Sequence, residues 1–134
     1  MQPMTNSQSQ CPCGSNKRLA ACCGPYHAVK AYARTARQLM RSRYSAFALG
    51  GLGDYLLQTW HPDTRPAVSA AVMGAADTDW IRLEVVDSQQ QGNTATVEFK
   101  AFWRDENGQI QLHHEKSRFV RQDGRWLYVD ADNS

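Results

Sequence analysis

The sequence of 134 residues predicts an α+β protein, with helices packed on an antiparallel sheet that follows a short cysteine-rich segment. Three observations support this class. All four cysteines lie between positions 11 and 23, apolar residues recur at helical spacing through the middle of the chain, and the pattern changes to strict alternation after Trp80. The sequence therefore divides into a polar tail (1–10), a cysteine segment (11–27) and one α+β domain (28–134).

The first ten residues, MQPMTNSQSQ, lack the basic start, the apolar middle and the small-residue cleavage site of a secretory signal. No apolar run approaches the roughly 20 residues that cross a bilayer. We therefore expect a cytoplasmic protein without a membrane partner. Because thiols stay reduced in that compartment, clustered cysteines are more often metal ligands than disulfides.

The cysteines form two tight pairs, Cys11 with Cys13 and Cys22 with Cys23, separated by eight residues. Two such pairs can surround a tetrahedral zinc ion, and four thiolates leave no open coordination position, so we expect one structural zinc. His27, four residues after Cys23, is an alternative fourth ligand because imidazole also binds zinc. The other interpretation is a group of unliganded buried or redox-active thiols.

Three helices are predicted in the middle of the chain. Thr35 and Gln38 form a capping box that begins the first helix, and Gly50 and Gly51 end it. An aspartate caps the second helix, and prolines mark the end of the second and the first turn of the third. The predicted helices run from Thr35 to Leu49, from Asp54 to His61 and from Pro66 to Ala76.

Four strands are predicted after the helices. The segment TATVEFKAFW alternates, so that its alanines, Val97, Phe99 and Trp103 share one face. The dipeptides Asn107-Gly108 and Asp123-Gly124 suit tight hairpin turns, and QQQGN suits a looser one. The predicted strands are Trp80–Asp87, Thr94–Arg104, Ile110–Arg121 and Arg125–Asp130.

The third predicted strand has two alternative inward faces. The turn at Asn107-Gly108 decides between them, because a change of one residue in its loop exchanges the faces. One face carries His114, Lys116 and Arg118, and the other carries His113, Glu115 and Ser117.

Charge and motifs exclude several classes of function. The formal net charge is +2, and four thiolates that bind one zinc ion lower it to about zero, which argues against nucleic acid as a partner. The sequence contains no nucleophile elbow, no phosphate-binding glycine loop and no spaced pair of catalytic carboxylates. We therefore expect a protein that is not an enzyme.

Several segments carry a resemblance to known proteins. CPCGSNKRLAACCG resembles the SEC-C motif, a zinc-binding sequence also found at the end of the preprotein translocase motor SecA, where the last ligand is a histidine at the position of Cys23. LMRSRYSAFALG, YLLQTWHP, HEKSRFV and GRWLYVD resemble the YchJ-like family of bacterial proteins. This resemblance implies a fold like that of nuclear transport factor 2 (NTF2), a cone of helices and curved sheet that is open at one end.

Arg43 is the polar anomaly of the first helix, because it lies on the same stripe as Leu39 and Phe47. A buried guanidinium needs a counter-group. One interpretation is an internal salt bridge to Glu115, Asp130 or Glu84, and the other is a pocket that binds an anion. The candidate pocket residues are Arg43, Tyr44, Trp60, His61, Glu115, Arg118 and Asp130.

These observations favour a zinc-binding adaptor, a monomer or homodimer whose cysteine segment is presented to another protein. The SEC-C resemblance implies the same role, because that motif is associated elsewhere with chaperones or ribosome-linked partners. The alternative is a small-molecule-binding or enzymatic cone with a polar pocket around Arg43.

Overall fold

The computed structural model describes residues 9–131 and confirms the α+β class, with helices before strands. Residues 1–8 of the predicted tail lie outside the described residues. After a 3-10 turn at Leu19–Ala21, the elements are α1 (Gly24–His27), α2 (Ala36–Leu49), α3 (Gly53–Gln58), α4 (Ala70–Met73), β1 (Asp79–Gln91), β2 (Thr94–Arg104), β3 (Ile110–Gln122) and β4 (Arg125–Ala131). None of the helices in residues 9–131 has the length and apolar character needed to cross a membrane.

The four strands form one antiparallel sheet in the order β1-β2-β3-β4, as predicted. Strand β1 is longer than predicted because Gln91 pairs with Thr94 across a two-residue turn, where the sequence predicted a looser one. The register of β1 against β2 shifts twice, and such bulges bend a strand. At the last hairpin, Asp123 and Gly124 both have positive φ (52° and 79°), which confirms the tight turn predicted there.

Helix α2 begins as the sequence predicts. The Thr35 hydroxyl accepts a hydrogen bond from the Gln38 amide at 3.1 Å, and the Gln38 side chain accepts one from the Arg34 amide at 2.8 Å. The face of α2 that lies on β1, β2 and β4 carries Leu39, Met40 and Tyr44, while Ala46 packs against Tyr55 and Leu56 of α3.

The other two predicted helices are shorter than expected. Helix α4 begins after Ser69 and not at Pro66, because the Ser69 hydroxyl accepts a hydrogen bond from the Val72 amide at 3.2 Å and so caps the helix there. Helices α3 and α4 cross at very short range. A Cβ atom added to Gly53 would lie 1.8 Å from the Ala70 carbonyl oxygen.

The main core lies between α2 and the sheet. It contains four of the five side chains of β2 that were predicted to share one face, all except Trp103, together with Phe119 and Trp126 from β3 and β4. The Trp126 indole N–H donates to the Arg34 carbonyl at 3.1 Å, which fastens the start of α2 to the last strand.

The connection between β2 and β3 determines which side of β3 faces the helices. It is a five-residue loop, since Arg104 pairs with Ile110, and not the tight turn predicted at Asn107-Gly108. The Asp105 carboxylate holds this loop by accepting hydrogen bonds from the Asn107 and Gln109 amides, both at 2.9 Å. The inward residues of β3 are consequently His113, Glu115, Ser117 and Phe119, which pair with Ala101, Phe99, Val97 and Ala95.

Candidate metal centre and cavity

The four cysteines lie together at the N-terminal end of the described chain. Their sulfur atoms are all within 4.8 Å of one another, and Cys11, Cys13 and Cys23 are almost fully buried. All four thiols are free. The cluster is thus a compact set of four soft ligands, of the kind that binds zinc or another thiophilic metal.

The local backbone brings the two pairs together. Gln10 and Arg18 form an antiparallel bridge, and the Cys11 amide donates to the Lys17 carbonyl at 2.8 Å. This short hairpin carries the first pair, and the 3-10 turn that follows returns the chain so that Cys22 and Cys23 lie against it. Cys23 then occupies the N-cap of α1.

The sulfur positions fit a tetrahedral ion. With zinc–sulfur bonds of about 2.3 Å, the edges of a tetrahedron of sulfurs measure about 3.8 Å. The distance from the Cys13 sulfur to the Cys22 sulfur is 3.6 Å, and that from Cys22 to Cys23 is 3.9 Å. The Ser15 hydroxyl also donates a hydrogen bond to the Cys22 sulfur at 3.1 Å. The donor set and these two distances therefore fit a tetrahedral thiophilic ion such as zinc.

Thiol hydrogen bonds within the cluster separate the cysteine pKa values. Hydrogen bonds from Cys11 and Cys23 hold the pKa of the Cys13 thiol far below its ordinary value. The hydrogen bond between Cys23 and Cys11 raises the pKa of the Cys23 thiol.

His27 lies beside this cluster but points elsewhere. Its Nε2 atom is 2.9 Å from the Ser42 carbonyl oxygen and 3.1 Å from the Ser45 hydroxyl, and its ring packs edge-on against Tyr55. Neither ring nitrogen of His27 belongs to the group of potential metal ligands that the four cysteine sulfurs form in the described part of the chain. The structure therefore brings together the four cysteines and places His27 in the contact between α1 and α2.

The burial of His27 gives a prediction about how stability depends on pH. Desolvation lowers the pKa of His27 below its ordinary value. Since the unfolded chain binds this proton more strongly, the free energy of unfolding should fall as the pH is lowered below about 6.5. Urea unfolding of the metal-loaded protein between pH 7.5 and 6 measures the slope. A His27→Gln variant should show a smaller slope; equal slopes for wild type and His27→Gln would contradict the assignment.

The cysteine segment is packed onto the domain. Leu19 and three of the cysteines form a small buried cluster, and Leu49 at the end of α2 packs against it. Together with the bond from His27 to Ser42, this contact holds the segment against α2.

A cavity of about 440 Å³ lies between α2 and the inward face of the sheet. Most of its wall is aromatic, from Tyr44, Phe47, Trp60, Trp80, Phe99, Trp103, Phe119 and Tyr128. Its polar groups include the side chains of Arg43, His113, Glu115 and Ser117. Its size and its few convergent polar groups are typical of small-molecule sites.

Arg43 is 6% exposed and makes no ion pair within residues 9–131, so the predicted internal salt bridge is wrong. Its Nη1 atom donates to the Leu56 carbonyl at 2.7 Å and to the Thr59 hydroxyl at 2.6 Å. The guanidinium carbon lies over the rings of Trp60 and Tyr128, at 5.1 and 4.8 Å from their centroids. Burial lowers the pKa of Arg43 to about 10, so the group remains charged at neutral pH.

The three predicted salt-bridge partners of Arg43 are engaged elsewhere. Glu84 pairs with Arg82, and Asp130 forms a bidentate pair with Arg118 at 2.6 and 2.7 Å. Glu115 lies in the cavity wall but binds other groups, namely His113 at 2.9 Å, Ser117 at 2.5 Å and Tyr128 at 3.1 Å.

The structure brings four of the predicted pocket residues together, namely Arg43, Tyr44, Trp60 and Glu115. Arg118 lies on the outer face of the sheet because its position on β3 has the opposite parity to the inward residues. Asp130 shares that face because the register of β4 against β3 shifts between Tyr128 and Asp130. His61 follows α3, where it binds Gln122 at 3.0 Å. None of these last three residues lines the cavity.

Sequence reasoning left His113 and Ser117 out of the pocket. Both belong to one of the two alternative faces of β3, and the length of the preceding loop was the missing information. The signal was present in Asp105, whose carboxylate stabilises the longer loop.

A curved antiparallel sheet that encloses an aromatic cavity with helices, preceded by a four-cysteine cluster, defines an NTF2-like protein with a SEC-C motif. Residues 35–131 match the family model described as "YchJ, middle NTF2-like domain", and residues 9–25 match the SEC-C motif. The chain belongs to the YchJ family.

Curated relatives and solved structures agree with this assignment. The UPF0225 protein of Bordetella parapertussis is 50% identical, with 98% of each chain covered, and that of Deinococcus radiodurans is 44% identical over 90% of this chain and 87% of the relative. The solution structure of a SEC-C motif containing protein from Rhodopseudomonas palustris has a TM-score of 0.83 at 38% identity and covers 92% of this chain and 98% of that one. A crystal structure of a SEC-C motif containing protein from Psychrobacter arcticus gives 0.80 at 32% identity, with 96% and 85% covered.

Proposed function

We propose that this protein binds a small, largely apolar molecule with an acceptor oxygen in the cavity, and that one zinc ion on the four cysteines stabilises the fold around it. Arg43 carries the proposal. A buried guanidinium without a carboxylate, beside an open cavity of about 440 Å³, is a cation available to a ligand.

The free hydrogen-bonding capacity of Arg43 supports this function. Its two bonds in the described chain both use Nη1, so the donors on Nη2 and Nε have no acceptor in residues 9–131. A carboxylate or carbonyl oxygen would satisfy such donors, while the aromatic wall would bury the rest of the molecule.

The proposed zinc has a structural role, because four thiolates leave no coordination position open to a substrate. Three of the cysteines are buried together with Leu19, against Leu49 of the domain. The ion would thus fix the cysteine segment to the end of α2.

An adaptor role for the cysteine segment stays a prediction, as do its protein partner and its cytoplasmic location. The surface that the segment would offer is basic, since Lys17 and Arg18 are both exposed. Capture of one defined partner by the wild type but not by a Cys13→Ser variant would support that role.

Two matched probes, 1-naphthoate and 1-naphthalenemethanol, test the cavity through quenching of its tryptophans. We expect naphthoate to bind more tightly, because a hydrogen bond from a charged donor contributes about 1.5–3 kcal/mol, or about 10- to 100-fold in affinity. Arg43→Met should abolish that preference while retaining weak binding of both probes. Arg37→Met, on the exposed side of the same helix, is the control.

Two results would overturn the function. One is that neither probe quenches tryptophan fluorescence at millimolar concentration. The other is that Arg43→Met, shown to be folded by its circular dichroism spectrum, leaves the preference for naphthoate unchanged.

A further inference from the structure

The cavity wall contains an imidazole that a carboxylate orients. His113 and Glu115 are two residues apart on the inward face of β3, and the His113 Nε2 atom lies 2.9 Å from a Glu115 carboxylate oxygen. The second oxygen of Glu115 accepts hydrogen bonds from Ser117 at 2.5 Å and from Tyr128 at 3.1 Å. These two hydrogen bonds hold the Glu115 carboxylate in place.

This arrangement specifies the tautomer of His113. In the neutral imidazole the proton is on Nε2, which donates a hydrogen bond to the carboxylate, and Nδ1 carries the lone pair. Nδ1 has no hydrogen-bond partner within residues 9–131. The pattern of a base held by a second group is the one that general-base catalysis uses.

We propose that His113 is a general base that removes a proton from carbon in a molecule bound in the cavity. This inference rests on the proposed binding function and adds a reaction to it. Arg43, from α2, and His113, from β3, line the same cavity, so one small molecule can contact a fixed cation and a base together. The substrate class is a small apolar carbonyl compound with an acidic C–H group next to the carbonyl.

The reaction is a proton-transfer isomerisation that needs no oxidant or co-substrate. Nδ1 of His113 takes the proton, the electron pair of the C–H bond forms a carbon–carbon double bond, and the carbonyl electron pair moves onto oxygen. Donors of Arg43 stabilise the negative charge on that oxygen. Transfer of this proton from the imidazole to that oxygen gives the enol, an isomer of the substrate, and restores the neutral imidazole.

The chain provides a matched control for His113. The next residue, His114, is on the outer face of β3 and is also paired with a carboxylate, that of Glu98 at 2.7 Å. The exposed fractions of the two histidine side chains are 49% and 48%. The two residues therefore differ mainly in which side of the sheet they occupy.

The probe for the activity is 5-nitrobenzisoxazole, a small planar molecule with an acidic C–H group. Removal of its proton forms a nitrile as the N–O bond breaks, and the oxygen leaves as a coloured phenolate. We expect the wild type to convert it faster than buffer does. His113→Gln should lower kcat at least tenfold, because a positioned base contributes about 10²–10⁴-fold, and His114→Gln should stay within twofold of the wild type.

Glu115→Gln is a second variant that leaves the imidazole in place. Because Glu115 positions the base, Glu115→Gln should lower kcat with little change in KM. A general loss of structure would change both. This variant also keeps the proposal testable if His113→Gln fails to fold.

Equal rates for the folded His113→Gln and His114→Gln variants would overturn the assignment of the base. Binding of the probe, measured by tryptophan quenching, without conversion faster than in buffer would overturn the activity and leave the binding function standing. Absence of any quenching by this probe or by 1-naphthoate would overturn both.

Discussion

A Cys13→Ser variant is expected to lose the metal and to unfold the cysteine segment while the sheet persists. Cys13 is 2% exposed, and its sulfur lies 3.6 Å from that of Cys22, inside the proposed coordination sphere. Serine is a poor zinc ligand, so three thiolates would remain around a defective site. A metal bound only by the folded state at a free concentration 1,000 times its Kd contributes about 4 kcal/mol to the free energy of unfolding. We expect a loss of that order.

Native mass spectrometry and urea unfolding measure the two parts of this result. The wild type, purified without chelator, should carry one zinc ion, and Cys13→Ser should carry none. Lys17→Ala changes an exposed residue of the same segment and should retain both metal and stability. A Cys13→Ser protein with one tightly bound zinc, or a wild type with reduced thiols and no metal, would contradict the site.

A Gly53→Ala substitution is expected to disrupt the contact between α3 and α4. The new Cβ atom would lie 1.8 Å from the Ala70 carbonyl oxygen and 2.6 Å from its carbonyl carbon, and backbone atoms cannot turn away as a side chain can. Alanine favours a helix by about 1 kcal/mol over glycine, so without this contact the change would stabilise α3. We expect the opposite sign, with a loss of about 3 kcal/mol.

The neighbouring glycine provides the control. An added Cβ at Gly51 meets no atom within 4 Å, although φ there is +75°, so Gly51→Ala should cost only the left-handed backbone conformation, about 1–2 kcal/mol. Urea unfolding of both variants measures the difference. If Gly53→Ala is as stable as the wild type, the helices do not cross as closely as described.

Local sequence signals predicted much of the fold. The capping residues Thr35 and Gln38 and the turn residues Asp123 and Gly124 act over a few positions, and the structure confirms both features. The start of α4 was predicted wrongly because Pro66 and Ser69 are both good starting residues, and only the Ser69 hydroxyl forms the capping bond.

The candidate site depended more on long-range structure. Sequence spacing predicted that the cysteines would gather, because their separation is short. It could not predict the partners of Arg43. The Leu56 acceptor is a backbone carbonyl, which every residue has, so the sequence does not identify it. The stacking on Tyr128 joins segments that are far apart in the sequence. Nor could it place His113 in the cavity, because this required the length of one hairpin loop.

That loop also limits how the family can change during evolution. An insertion of one residue into 105–109 that kept the present five-residue loop conformation would shift β3 by one position. The cavity would then receive His114, Lys116 and Arg118 in place of His113, Glu115 and Ser117, and two more cations would join Arg43 without the carboxylate. We therefore expect relatives to differ at this hairpin by an even number of residues, or by insertions that enlarge the loop without shifting β3. The charges inside the cavity thus restrict which lengths of this exposed loop are tolerated.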